Sequence, residues 1–293
     1  MRKPDAASEA RLDAIRKNAT EATVEGQGGS YYGLPLLKPT TWTWEVPAYF
    51  FVGGAAGAAA VIGFAGQISG ADAKLVRDAR WIAAIGAALS APLLIADLGR
   101  PERFLHMLRV FKPKSPMSVG AWTLTAFGAS SAAAAVLSGG QAILPVRTGR
   151  IACPPPGDVA AAASALTGLV MTTYTGVLLG VTVIPVWTKH AHVLPIHFAA
   201  SSLGAAAALL EICGNRQLAV RRIALTAALV ETVVEAAIEQ PSVTARIAGA
   251  FAGPIPLAIR LLYGRSRKAR QAAAVSALLG SLLTRVAWVE AGS

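Results

Sequence analysis

Between residues 46 and 67 the chain carries no charged side chain. A helix needs about 20 predominantly apolar residues to cross the hydrocarbon core of a bilayer. Similar runs recur at 79–98, 117–138, 158–186, 191–213, 218–238, 246–263 and 271–290. The chain therefore reads as all-α, an integral membrane protein of about eight transmembrane helices. The fourth run is long enough to tilt. Pro254 and Pro256 interrupt the seventh. Trp42 and Trp44 open the first run, where amphipathic indoles suit the headgroup boundary. Gly53, Gly54 and Gly57 lie inside it and would let a second helix backbone approach closely.

Composition agrees. Charged residues make up 15% of the chain, against about 25% in soluble domains. The net charge of +11 sits in short segments between apolar runs, with no basic stripe and interleaved aromatics, so nucleic acid is not a partner. The two cysteines, Cys153 and Cys213, form no CxxC pair and read as small hydrophobes. Residues 1–30 are charged, lack the apolar core of a signal peptide, and read as a soluble, partly disordered tail. Residues 31–215 then form a first helical bundle containing the site, and 216–293 a second part of the membrane bundle. Lys and Arg divide evenly between the two sides. If the cations in 99–116 serve a site and are discounted, the bias puts both termini outside and the 260–270 loop in the cytoplasm.

A charge in hydrocarbon is expensive and marks a functional group or a pairing. Asp97 closes the second run, and Arg100, Glu102, Arg103, His106, Arg109, Lys112 and Lys114 follow it. That setting fits a carboxylate taking a proton from a bound quinol, or a helix-end cap bridged to cations. Glu45, ahead of Tyr49, is either a site carboxylate or a side chain snorkelling to water. Glu231, Glu235 and Glu239 share a helix face by spacing. They form a proton path, or a buried ion pair with a cation such as Arg285. His190, His192 and His197 cluster at the start of one run, a poor arrangement for a membrane haem, which wants opposed imidazoles. Tyr174, midway along the fourth run, is the strongest buried hydrogen-bond donor. No Walker loop, nucleophile elbow or HExxH motif is present.

Ile95 to Pro101 (IADLGRP) with Arg103-Phe104, then Ser115 to Ser118 (SPMS) and Gly120-Ala121-Trp122, carry a more specific signal. With Tyr49 to Gly57 (YFFVGGAAG), Tyr174 to Leu178 (YTGVL), Pro185-Val186-Trp187, and Gly280 to Leu283 with Arg285, they resemble the NrfD family, the polysulfide reductase membrane subunits. The resemblance runs from about residue 31 to the end. It implies two four-helix bundles without metal or haem, and menaquinone or ubiquinone bound near one membrane face. It also implies an iron–sulfur partner subunit that relays electrons to or from a molybdopterin-type catalytic subunit. Carried onto this chain, Asp97 handles protons, Tyr174 donates to the quinone and Arg100 fixes charge nearby. Glu45, Tyr49, His106, Trp122 and His197 are the other quinone-site candidates, with Glu231, Glu235 and Arg285 as the proton path. The expected function is a quinone-handling membrane subunit of a respiratory oxidoreductase in the cell's inner membrane, not catalytic alone. The alternatives are a passive anchor for an extracytoplasmic redox enzyme, or a proton or ion transporter.

Overall fold

A computed structural model describes residues 42–98, 102–138, 155–182 and 184–292. The 1–30 tail, Arg100 and Cys153 lie outside the described residues. All regular structure among the described residues is helical. In chain order the helices are α1 (Glu45–Ile68), α2 (Ala73–Asp97), α3 (Glu102–Leu108), α4 (Pro116–Ser138), α5 (Pro156–Gly180) and α6 (Pro185–Lys189). They continue with α7 (Leu194–Ile212), α8 (Leu218–Ala237), α9 (Val243–Ala252), α10 (Pro254–Tyr263) and α11 (Arg267–Glu290).

Seven of these segments are long and apolar enough to span a membrane, with α9 and α10 together forming one broken span. Helix α8 has the length but carries Arg221, Arg222, Glu231 and Glu235. It still packs among α7, α9 and α10, which gives the expected count of about eight. The run at 158–186 is shorter as a helix than its hydropathy implies: α5 stops at Gly180, and Pro185, which suits a first helical turn, opens the separate α6. The interrupted seventh run breaks at Gly253, whose missing side chain admits the backbone of Thr232 on α8. Pro254 then starts α10, where its missing N–H leaves no bond unmade.

Helices α1, α2, α4 and α5 pack in a ring, each against two neighbours. Helices α7, α8, the α9–α10 pair and α11 make a second ring. The two bundles meet where α7 packs on α1 and α5, and where α11 reaches α1. Small residues set the closest crossings. A β-carbon on Gly168 of α5 would lie 2.7 Å from the Gly57 carbonyl of α1, and one on Gly57 would overlap the Gly168 carbonyl. Close backbone approach of this kind gives membrane helices the van der Waals contact that a hydrophobic effect between them cannot supply. One end of the molecule gathers the start of α1, the end of α2, α3, the start of α4, the end of α5, α6 and the start of α7.

Candidate functional site

At that end the first bundle holds a small apolar cleft. It is lined by Trp42 just before α1, Val46, Tyr49 and Phe50 on α1, and Leu94, Asp97 and Leu98 at the end of α2. Met107 of α3, Met117, Gly120 and Ala121 of α4, and Tyr174 and Leu178 of α5 complete it. Asp97 is the last residue of α2, and its Oδ1 accepts a hydrogen bond from Thr43 Oγ1 at 2.8 Å. The Tyr174 hydroxyl donates to the Pro116 carbonyl at the start of α4, at 2.7 Å. Gly120 lies against that phenol, and a β-carbon there would overlap its ring carbon and oxygen. The glycine of the Gly120-Ala121-Trp122 motif is therefore the space that seats Tyr174. Tyr49 is 2% exposed on the cleft wall. The structure thus brings Asp97, Tyr174 and Tyr49, from three different helices, into one pocket.

The other sequence candidates fall elsewhere. Glu45 occupies the first turn of α1, one turn before Tyr49, but does not line the cleft; its Oε2 is buried without a hydrogen-bond partner. His106 is exposed on α3. Trp122 points away from the pocket, 39% exposed, with its ring edge-on to Phe111 at 6.1 Å. His197 is fully buried on α7 in the second bundle and does not line the cleft.

There His197 meets two of the three glutamates. Its Nδ1 is 3.4 Å from Glu231 Oε2 and its Nε2 is 3.8 Å from Glu235 Oε1. Gln240 Nε2 donates to the other Glu235 oxygen at 2.6 Å. Glu239 does not share their face as its spacing suggested. Helix α8 ends at Ala237, and extended Ile238 carries the chain away toward Pro241. Glu239 is paired instead with Lys189, whose hydrogen bond and charge hold its carboxyl below the usual range.

Arg285 of α11 is completely buried. Its Nη1 donates to Ser201 Oγ at 2.9 Å, and to the Ser281 hydroxyl and carbonyl at 2.7 Å each. Its Nη2 donates to Ser202 Oγ at 2.8 Å and to the Phe198 carbonyl at 3.2 Å, and the guanidinium lies 5.2 Å from the Phe198 ring centroid. These are hydroxyl and carbonyl contacts rather than the direct carboxylate pairing that the sequence suggested for this arginine. The serine cage was missed because its partners lie 80 or more residues from Arg285 or share its own helix. Thr43, the Asp97 partner, was missed for the same reason: it sits 54 residues away, in the segment before α1.

Fold and pocket together define a multi-pass helical membrane protein whose first bundle holds a carboxylate and two phenols in an apolar cleft at one end. Comparison with protein families narrows this further. The family model NrfD_2, described as polysulfide reductase, matches residues 29–293, and the chain belongs to that family. It is thus a membrane subunit of the polysulfide reductase-like kind, which works with other redox subunits. A comparison with curated proteins finds none that matches.

Proposed function

We propose that this chain is the quinone-handling subunit of a multi-subunit oxidoreductase, and that the α1–α2–α4–α5 cleft is where menaquinone or ubiquinone binds. The supporting observation is the convergence of Asp97, Tyr49 and Tyr174 in a pocket otherwise built of apolar side chains. An apolar pocket with a few convergent polar groups is the usual form of a small-molecule site. The cleft volume of about 60 Å³ is well below the roughly 300 Å³ of a typical ligand pocket. Met107 and Met117 are the adjustable parts of the wall, because an unbranched thioether repacks at low cost. Met117 is 58% exposed, so it forms the lip through which a lipid-soluble ring enters.

A bound quinol supplies two electrons and two protons. The Asp97 carboxylate, steadied through one oxygen by Thr43, receives the two protons in succession at its other oxygen, passing the first to the adjoining aqueous face before taking the second. The Tyr174 phenol exchanges the Pro116 carbonyl for a ligand oxygen. Tyr49, Phe50, Leu94 and Leu178 keep the pocket dry. With two cysteines and no clustered set of them, the electrons pass to a partner, proposed to be an iron–sulfur subunit serving a molybdopterin-type enzyme in the inner membrane.

The test is Asp97→Asn in the complex purified through a tag on this chain. Quinol-dependent electron transfer is expected to vanish while subunit stoichiometry is retained. Wild-type turnover would refute the assignment and favour a passive anchor. Ion flux by the purified chain alone in liposomes would favour a transporter.

A further inference from the structure

The second bundle contains a buried acid–base cluster for which the cleft chemistry has no use. Glu231 is 1% exposed and His197 is fully buried. Neither imidazole nitrogen and neither Glu231 oxygen has a hydrogen-bond partner. Each ring nitrogen instead faces a different carboxylate, at 3.4 and 3.8 Å. Unpartnered buried polar atoms are costly, so their retention in apposition asks for a mobile occupant.

We propose that Glu231, His197 and Glu235 hold one exchangeable proton and relay it through the second bundle, entered beside Gln240 and closed toward the opposite face by the Arg260–Glu211 ion pair. The charge balance limits the occupant to a single positive charge, and the two ring nitrogens, each facing a different carboxylate, make that charge a proton. With both glutamates ionised, the imidazole neutral and Arg285 cationic, the cluster carries one net negative charge. A low-dielectric interior penalises that excess. One proton cancels it, whereas a divalent metal ion on the same three ligands would leave an excess positive charge. The transfer conserves atoms and charge: the proton on Glu235 goes to His197 Nε2, while the proton on Nδ1 goes to Glu231. Glu235 is then ionised, Glu231 neutral and the ring in its other tautomer. The side chains close by under about an ångström to reach hydrogen-bond length.

Both ends of the relay are built. Glu235 accepts from Gln240, and Gly249 of α9 leaves the room its carboxylate occupies. On the other side Glu231 borders a cavity of about 10 Å³, shared with Ser201, Pro256 and Arg260, near the minimum for one water. Arg260 of α10 is 2% exposed and donates to Glu211 at 2.6 Å. Glu211 in turn lines a wider polar cavity of about 290 Å³ with Arg216, Arg221 and Arg270. The charged groups facing the triad are thus Arg285 from α11 and Arg260 from α10, with Gly249 facing it from α9. Past the end of α8, Glu239 is matched by Lys189, and His190 packs edge-on to Trp288.

The test is an infrared titration of the full chain in lipid nanodiscs, without quinone, following the protonated-carboxyl band and its hydrogen–deuterium exchange. The wild type should titrate in two steps separated by more than about one pH unit, as coupled sites do. Glu231→Gln and Glu235→Gln should each remove one step, Glu231→Asp should retain both, and His197→Asn should slow exchange of the band. The proposal is overturned if either glutamine variant keeps both steps of the wild-type titration. It is also overturned if the wild type retains a stoichiometric metal ion through chelator dialysis that Glu231→Gln loses. The measurement does not involve Asp97 or a quinone, so it fails or succeeds independently of the cleft assignment.

Discussion

Replacing Tyr174 by Phe removes one oxygen from the cleft and nothing else. In the free protein that hydroxyl donates to the Pro116 carbonyl at 2.7 Å. A hydrogen bond of this kind contributes about 0.5–1.5 kcal/mol net. Binding a quinone exchanges the Pro116 bond for one to the ligand, so much of the bond strength cancels between the free and bound states. The expected loss of affinity lies at the low end, about 0.5 kcal/mol, or roughly a twofold weakening. In the tagged complex, KM for a water-soluble quinol should rise about two- to threefold, and Tm should fall by little because the ring still fills its place against Gly120. This contrasts with Asp97→Asn, where the rate itself should vanish. An unchanged KM would refute the donor role of Tyr174. A large fall in Tm with proportionate loss of activity would mean that the phenol is there to tie α5 to α4 and not to meet a ligand.

Two further predictions concern the scaffold. Gly57→Val puts a branched side chain where the Gly168 carbonyl of α5 already lies, and overpacking of this sort costs typically about 1–3 kcal/mol; fluorescence-detected size-exclusion should show loss of the monodisperse peak, while Gly128→Ala, which meets nothing within 4 Å, should leave it unchanged. Arg285→Met removes a charged donor from the serine cage, where charge-assisted bonds contribute about 1.5–3 kcal/mol each, so Tm should drop clearly, and Arg285→Lys should recover only part of the loss because one ammonium cannot span the fork between Ser202 and Ser281.

Much of the architecture was readable in advance because hydrocarbon imposes a simple rule on length and polarity. The apolar runs became helices near their expected positions, and the proline pair marked the break at Gly253. Tyr174 is legible as a buried donor, since a phenol at that depth must find a partner. Which partner it finds was not readable. Helical periodicity assigns residues to faces, but it does not say which helix those faces meet. That gap hid the Thr43 contact, the serine cage and the placement of His197 between two glutamates. Glu239 was misplaced on the α8 face because the spacing rule assumes that the helix continues, whereas the chain turns extended at Ile238.

The cleft and the buried triad are linked through three tryptophans, by ring contacts at either end and a hydrogen bond to backbone in the middle. Trp42 lines the cleft and stacks on Trp187, with centroids 5.1 Å apart and planes 18° from parallel. Trp187 Nε1 donates to the Trp288 carbonyl at 2.6 Å, and the Trp288 ring meets His197 edge-on at 6.4 Å. Contiguity alone does not make coupling, which requires that each site bias a shared arrangement. Where both sites do bias a shared arrangement the effect is reciprocal, because any change in cleft affinity on protonating the triad must be matched by the change in triad protonation on filling the cleft. A short-chain naphthoquinone should therefore shift the infrared titration of the triad, and acidification across that step should change its affinity by the same factor. Trp187→Leu breaks the line between its two ends and should abolish the shift while leaving both binding and titration in place. If the shift persists unaltered in that variant, the tryptophans are simply the packing that closes the joint between the bundles.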